Sequence, residues 1–178
     1  MKIIGFFLFI TVFIISCDSS FQGENSEKFA IFILQDEDIT THEALKRNLE
    51  DLELSSIPLI RYDDIKIYNQ KEHKVFLRKQ FSEYFQGDIE FLFSKLPGKP
   101  FVVTAFGKRI YLGSFVPGIS SFAPNTPCIY DYTFNNAEKS FTISDPPIWD
   151  SSAYIDYRND RRILEALKDK IIYDSNNQ

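Results

Sequence analysis

The sequence contains few residues of the types that build covalent frameworks and metal sites. Its 178 residues include two cysteines, two histidines, one methionine and one tryptophan. Two cysteines cannot form a disulfide framework, and the two histidines, His42 and His73, lie too far apart for a zinc-binding motif. We therefore expect no metal site and no cofactor. We expect both histidines to face solvent, and Cys128 to be buried and unreactive.

An excess of positive charge is also absent. The chain has 20 Lys and Arg against 25 Asp and Glu, a formal net charge of −5. An acidic protein repels phosphate on average, which argues against a nucleic-acid partner. Because 44% of the residues are hydrophobic, most of the chain is expected to fold, and its length predicts one domain.

The motifs of several large enzyme classes are missing as well. No segment matches the phosphate-binding loop G-x-x-x-x-G-K-[ST] or the dinucleotide motif G-x-G-x-x-G. Residues 118–122 lack the second glycine of a nucleophile elbow. No catalytic residue is assignable, so the sequence favours a protein that is not an enzyme. A fold that placed His42 or His73 beside two acidic side chains would instead favour a hydrolase.

The N-terminal residues carry the clearest signal. A run of uncharged, mostly apolar residues, 3–15, follows Met1-Lys2. A membrane-spanning helix needs about 20 apolar residues, whereas the hydrophobic region of a signal peptide has about 7–15. The run therefore predicts a signal peptide, and no other segment of the chain is hydrophobic enough to predict a span.

The end of this run resembles a bacterial lipobox. Residues 14–17 read Ile-Ile-Ser-Cys, and a polar stretch begins at Asp18. In a lipobox, two aliphatic residues and a small residue precede the cysteine that is lipidated. The resemblance implies that residues 1–16 are removed and that Cys17 receives a diacylglyceryl group. The lipid bilayer would then be a partner, with the domain on the extracytoplasmic side of a bacterial membrane.

Two other interpretations of the N-terminus remain open. The segment could stay uncleaved as a helical anchor, or an ordinary signal peptidase could cut after Ser19, with Cys17 and Ser19 as the small residues before the cut. Asp18 is similar to the inner-membrane retention signal of some lipoproteins, so the choice between inner and outer membrane is also open.

The rest of the chain predicts a single domain over 28–173, preceded by a tether at 17–27 and followed by a disordered tail at 174–178. The fold class is predicted to be α+β, with a mainly antiparallel sheet of about five to six strands and a helix near each end. The predicted elements are a strand at 29–34, a helix at 41–53 with a Thr40/Glu43 capping box, a hairpin at 65–77, short helices at 81–85 and 91–96, hairpins at 101–115 and 130–143, and a helix at 163–171 capped by Asn159 or Asp160.

The hairpin at 101–115 is expected at the centre of the sheet because both of its faces carry apolar residues. A type II′ turn at Gly107-Lys108 would place Ala105 opposite Ile110. Gly113 within the second strand predicts a bulge or a close backbone approach. Residues 100–168 also resemble an uncharacterised family of small bacterial secreted proteins and lipoproteins, from which no activity transfers.

The candidate contact residues lie on this hairpin, on the loop after it and in a later Pro-rich loop. Loops that leave a central hairpin are suitable places for ligand or partner contacts. We expect a non-enzymatic binding domain that contacts an envelope protein or glycan. The alternatives are a small envelope hydrolase and an inhibitor or immunity-type lipoprotein. The candidate residues are Arg109, Tyr111, Phe115, Ser120, Ser121 and Trp149.

Overall fold

The computed structural model describes residues 27–85, 89–94, 98–120, 124–146 and 155–172. The predicted lipidation site Cys17, the candidate residues Ser121 and Trp149, and the tail at 174–178 lie outside these ranges. Within them, no helix is long and apolar enough to cross a membrane.

The described residues form nine strands and three α-helices, joined by loops and short 3₁₀ turns. Their bounds in chain order are β1 Phe29–Ile33, α1 Thr41–Ala44, β2 Ile60–Arg61, β3 Ile65–Asn69, β4 Lys74–Leu77, α2 Ile89–Phe93, β5 Lys99–Ala105, β6 Lys108–Val116, β7 Cys128–Tyr130, β8 Ser140–Thr142, α3 Arg161–Leu167 and β9 Ile171–Ile172.

The strands form two sheets, and the α+β class is confirmed. The five-stranded sheet has the order β2-β1-β5-β6-β7, and the four-stranded sheet has the order β8-β4-β3-β9. All pairs are antiparallel except β6 with β7 and β3 with β9. We expected one sheet. The strands divide because β3 and β4 pair with late segments of the chain, and the alternation of apolar residues does not specify a pairing partner.

Two hydrophobic clusters lie on opposite faces of the five-stranded sheet. The main cluster contains Ile31 and Val103 from this sheet, together with residues of the four-stranded sheet and α3. The smaller cluster contains Val102 from β5, with Leu112 packed against it. Val102 and Val103 face opposite ways because side chains alternate along a strand. The predicted central place of β5 is confirmed.

α1 begins at the predicted residue, α3 begins at Arg161 rather than at 163, and both helices end earlier than predicted. The Thr40/Glu43 capping box is present, and Asp160 caps α3. α1 nevertheless ends at Ala44. A separate 3₁₀ turn follows at Leu49–Asp51, and Leu52 is the residue after it. Leu52 still reaches the smaller cluster, so the spacing that predicted one helix is met by two short turns.

Tertiary contacts hold α1 in place, because four residues are too few for a helix that is stable alone. Thr41 is fully buried. Its hydroxyl donates to the Gly98 carbonyl oxygen at 3.1 Å and lies 2.7 Å from Ser114 Oγ. α1 is thereby fixed to β6 and to the residue that precedes β5.

Two predicted hairpins need correction, whereas the β3–β4 hairpin is confirmed. Phe106 and Gly107 both have positive φ, 50° and 69°, which defines a type I′ turn and pairs Ala105 with Lys108. A bulge at Ile110 then shifts the register. The segments predicted to pair across 130–143 belong to different sheets, as β7 and β8, and the pairing between them is limited to isolated antiparallel bridges of Asn135 with Ser140 and of Cys128 with Ser144.

Gly113 is a position where the fold tolerates no side chain. A Cβ added there would overlap the ring of Phe101, which is fully buried in the main cluster. The expectation of a close approach at this glycine is confirmed.

We predict that Gly113→Ala destabilises the protein by about 1–3 kcal/mol, because overpacking displaces a core side chain. Urea denaturation measures this change. Lys66→Ala, at an exposed strand position, serves as the control and is expected to change the free energy of unfolding by less than about 0.5 kcal/mol. Equal stability of the two variants would contradict the proposed packing role.

Candidate functional site

A cavity of about 500 Å³ opens to the surface and is lined by residues of both hydrophobic clusters. Its buried wall includes Ala44 of α1, Leu52, and Tyr111 of β6. Its outer part includes exposed residues from three separate loops. The lining is Ala44, Leu45, Arg47, Leu49, Leu52, Ile110, Tyr111, Leu112, Asn125, Thr126, Pro127, Ile155 and Tyr157.

The mouth of this cavity carries exposed apolar side chains and one charge. Leu45, Ile155 and Tyr157 are 44%, 62% and 45% exposed, although they are large and apolar. Arg47 is the one charged residue among the described lining residues, and no ion pair joins it to another described residue. Exposed apolar residues that gather around one cavity are typical of a binding site.

A buried ion network fixes the segment that supplies Ile155 and Tyr157. Arg158 is almost fully buried, and its Nε and Nη2 donate to both Asp156 carboxylate oxygens, at 2.8 and 2.9 Å. Its Nη1 donates to the Ile143 carbonyl oxygen at 2.8 Å. It also forms an ion pair with Asp145. Charge-assisted bonds of this kind are stronger and more directional than neutral ones.

His73 belongs to the same network, and the expectation that it faces solvent is wrong. It is only 7% exposed. Its Nδ1 lies 2.7 Å from the Tyr68 hydroxyl oxygen, and its Nε2 lies 3.5 Å from Asp156 Oδ2. Asp156, which contacts His73, is distant from it along the chain. His42, by contrast, is exposed as expected.

The environment keeps His73 neutral and Asp156 charged. Burial lowers the pKa of His73, and the charge of Arg158 lowers it further, whereas Asp156 and Asp145 oppose this. Burial opposes ionisation of Asp156, but hydrogen bonds and attraction from Arg158 outweigh it and hold the pKa of Asp156 below its usual value. The network therefore joins one cation to two carboxylates through fixed geometry.

This network contains the side chains of an acid–base site, but within the described ranges His73 has neither a nucleophile beside it nor a place in the cavity wall. No described hydroxyl or thiol of serine, threonine or cysteine hydrogen-bonds either ring nitrogen of His73. Burial also raises the pKa of Tyr68, so its phenol stays protonated. His73 does not line the cavity. The described geometry supports a positioning role, in which the network holds residues 155–158 at the cavity.

The described candidate residues from the sequence lie in different environments. Tyr111 lines the cavity. The guanidinium of Arg109 donates to the Leu49 carbonyl oxygen and pairs with Glu50 at 3.8 Å, so it braces the cavity wall. Phe115 is fully buried in the main cluster. Ser120 is half-buried, and its amide closes a turn on Pro117.

Sequence reasoning missed the mouth of the cavity. The predicted helix at 41–53 would place Leu45 on its buried face, and Ile155 and Tyr157 have no periodic pattern, so no local signal marks the mouth. Cys128 is buried as expected, and burial raises the pKa of its thiol to about 12.

No group of three metal-ligating side chains occurs within the described ranges. Comparisons of the sequence with protein-family models, with curated proteins and with solved structures find no match. The functional argument therefore depends on the residues of this chain.

We predict that stability falls as the pH is lowered from 7 through about 6.5, the unfolded pKa of histidine. Below that value the unfolded chain binds a proton that folded His73 rejects, because its folded pKa is lower. Asp156 contributes in a separate window: its lowered folded pKa gives stability above its unfolded value near 3.8, and this is lost as the pH falls through the folded pKa.

The measurement is urea denaturation between pH 5 and 8. His73→Asn suits the positive φ of 49° at this residue and is expected to flatten the pH dependence, although it is less stable throughout. His42→Asn should keep the slope of the unaltered protein. An unchanged slope in His73→Asn would assign the pH dependence to other groups.

Proposed function

We propose that this protein is a membrane-anchored bacterial lipoprotein whose folded domain is a non-enzymatic binding domain at the cell envelope. The anchor rests on the lipobox-like residues 14–17 after an apolar run of signal-peptide length. The domain would lie on the extracytoplasmic side of the membrane. Two acyl chains provide stable attachment, because each buried CH₂ contributes about 0.8 kcal/mol.

One observation carries the binding function: an apolar cavity with exposed apolar residues at its mouth. Catalytic sites bring several titratable groups together at a pocket. Among the described residues of this lining, Arg47 is the one charged side chain. His73, Asp156 and Arg158 do not line this cavity and belong to a separate network. This arrangement supports binding over reaction chemistry.

The anchor is tested by metabolic labelling with palmitate in a bacterial host. The unaltered chain is expected to take up label and to shift to the mass of the processed form. Cys17→Ser is expected to take up none and to keep the precursor mass. Cys128→Ala is the matched control, since Cys128 is the other cysteine, and it should be labelled normally. Label in Cys17→Ser would refute the anchor.

The His73 network favours a second candidate, a small envelope hydrolase, because it places a histidine beside Asp156 and near Asp145. If the network were catalytic, replacing His73 would abolish hydrolysis of model esters or peptides. We expect background hydrolysis from the unaltered protein and from His73→Asn alike. Activity that His73→Asn loses and His42→Asn keeps would favour the hydrolase. An inhibitor or immunity-type lipoprotein shares the expected absence of activity.

A further inference from the structure

We propose that the cavity binds a single-chain anionic amphiphile, that is, a fatty carboxylate with its chain inside and its head group at Arg47. This inference rests on the proposed binding function and names the ligand class for the same site. The argument uses the size of the cavity, the chemistry of its wall, and the sign of the charge at its mouth.

The size of the cavity favours a small molecule over a protein surface. Small-molecule pockets usually have volumes of roughly 300–1,000 Å³, and this cavity has about 500 Å³. A stable protein interface buries about 800 Å² on each partner, and three partly exposed side chains at the mouth offer only a fraction of that. The cavity also reaches side chains that are almost fully buried, such as Leu52 and Ala44.

The wall of the cavity favours an apolar chain. Leu49, Leu52, Ile110 and Leu112 are among its lining residues, and Leu52 and Ile110 are buried. The hydroxyl of Thr126 donates to the Leu112 carbonyl oxygen, so this polar group is already satisfied. A ligand body that brought hydrogen-bonding groups inside would lose its own bonds to water without full replacement.

The mouth favours a negative head group. Arg47 is exposed and lines the cavity, and Glu43 influences it only through longer-range attraction. Lys46, the neighbouring cation, does not line the cavity. In a protein with a net charge of −5, a cation at the mouth of this cavity is a local reversal of sign. Guanidinium groups bind carboxylates in a two-point geometry.

The mouth also presents apolar surface next to this charge. The segment of Ile155 is held there by the bonds of Arg158 to the Ile143 carbonyl oxygen and to Asp145. Leu45 is the residue that follows α1. A ligand that leaves the cavity therefore passes an apolar rim with a single cation. An apolar cavity followed by an apolar rim with one cation matches a molecule that has one apolar chain and one negatively charged end.

The test uses the full chain in phosphatidylcholine nanodiscs, labelled with a photoreactive diazirine analogue of dodecanoate. Proteolysis and mass spectrometry then locate the adducts. We expect them on peptides containing 44–52, 110–112 or 125–127. Free dodecanoate should compete, whereas dodecyltrimethylammonium, which has the same chain and the opposite charge, should compete at least about tenfold less well. Equal competition would overturn the assignment of an anionic head group.

Matched variants separate the charge from the apolar rim. Arg47→Gln should weaken competition by dodecanoate by about threefold to fivefold, the range of an exposed ion pair, and Lys46→Gln should leave it unchanged. Ile155→Asp should weaken it more, by about tenfold. Ile57→Asp is the control, because Ile57 is 66% exposed and lies away from the lining. The site would be refuted if Arg47→Gln weakened competition no more than Lys46→Gln, or if Ile155→Asp weakened it no more than Ile57→Asp.

Two further arms distinguish the source of the chain. Phosphatidylglycerol added to the nanodiscs is expected not to compete, and competition equal to that of dodecanoate would assign the cavity to membrane lipid instead. Stronger photolabelling of Cys17→Ser than of the unaltered chain would show that the protein's own acyl group occupies the cavity, which also overturns the proposal. Loss of photolabelling with normal palmitate incorporation would refute the ligand and leave the anchor intact.

Discussion

The rest of the candidate site depends on the bonds that the Arg158 guanidinium forms. It binds both oxygens of Asp156, the Ile143 carbonyl oxygen and Asp145. A buried guanidinium that lost these partners would be left as an uncompensated charge. Its bonds to the Ile143 carbonyl oxygen and to Asp145 tie residues 155–158 to the segment that follows β8. The apolar mouth of the cavity follows from that constraint.

The five-stranded sheet separates a main hydrophobic cluster from a smaller one, and residues of both clusters line the cavity. Its main cluster joins both sheets and α3 through large buried side chains. Among the described residues, α1 and the turn at 49–51 pack against its other face. The cavity lies beside them. Burial on the first face supplies most of the hydrophobic stabilisation, so the second face can stay partly open.

Local signals predicted the elements well, and non-local pairing was beyond them. The apolar run of β1, the Thr40/Glu43 capping box and the Asp160 cap each depend on residues within one turn or strand. The division into two sheets depends on partners far along the chain. The burial of His73 likewise requires Asp156, which no local pattern connects to it. Of the predicted contact residues, Tyr111 lines the cavity. The residues at its mouth could be identified only from the structure.

Leaving apolar side chains exposed around the cavity gives up some of the free energy that their burial would contribute. Fully burying a leucine or isoleucine side chain contributes about 1.5–3 kcal/mol, and the fold forgoes much of this at Leu45 and Ile155. A chain selected only for stability would turn such side chains inward or replace them with polar residues. Here the Arg158 network instead holds Ile155 outward beside a preformed cavity. Local departures from the stability optimum that are enforced by strong neighbouring bonds are expected at functional sites, and this is the physical reason to assign binding to this face rather than to the buried histidine.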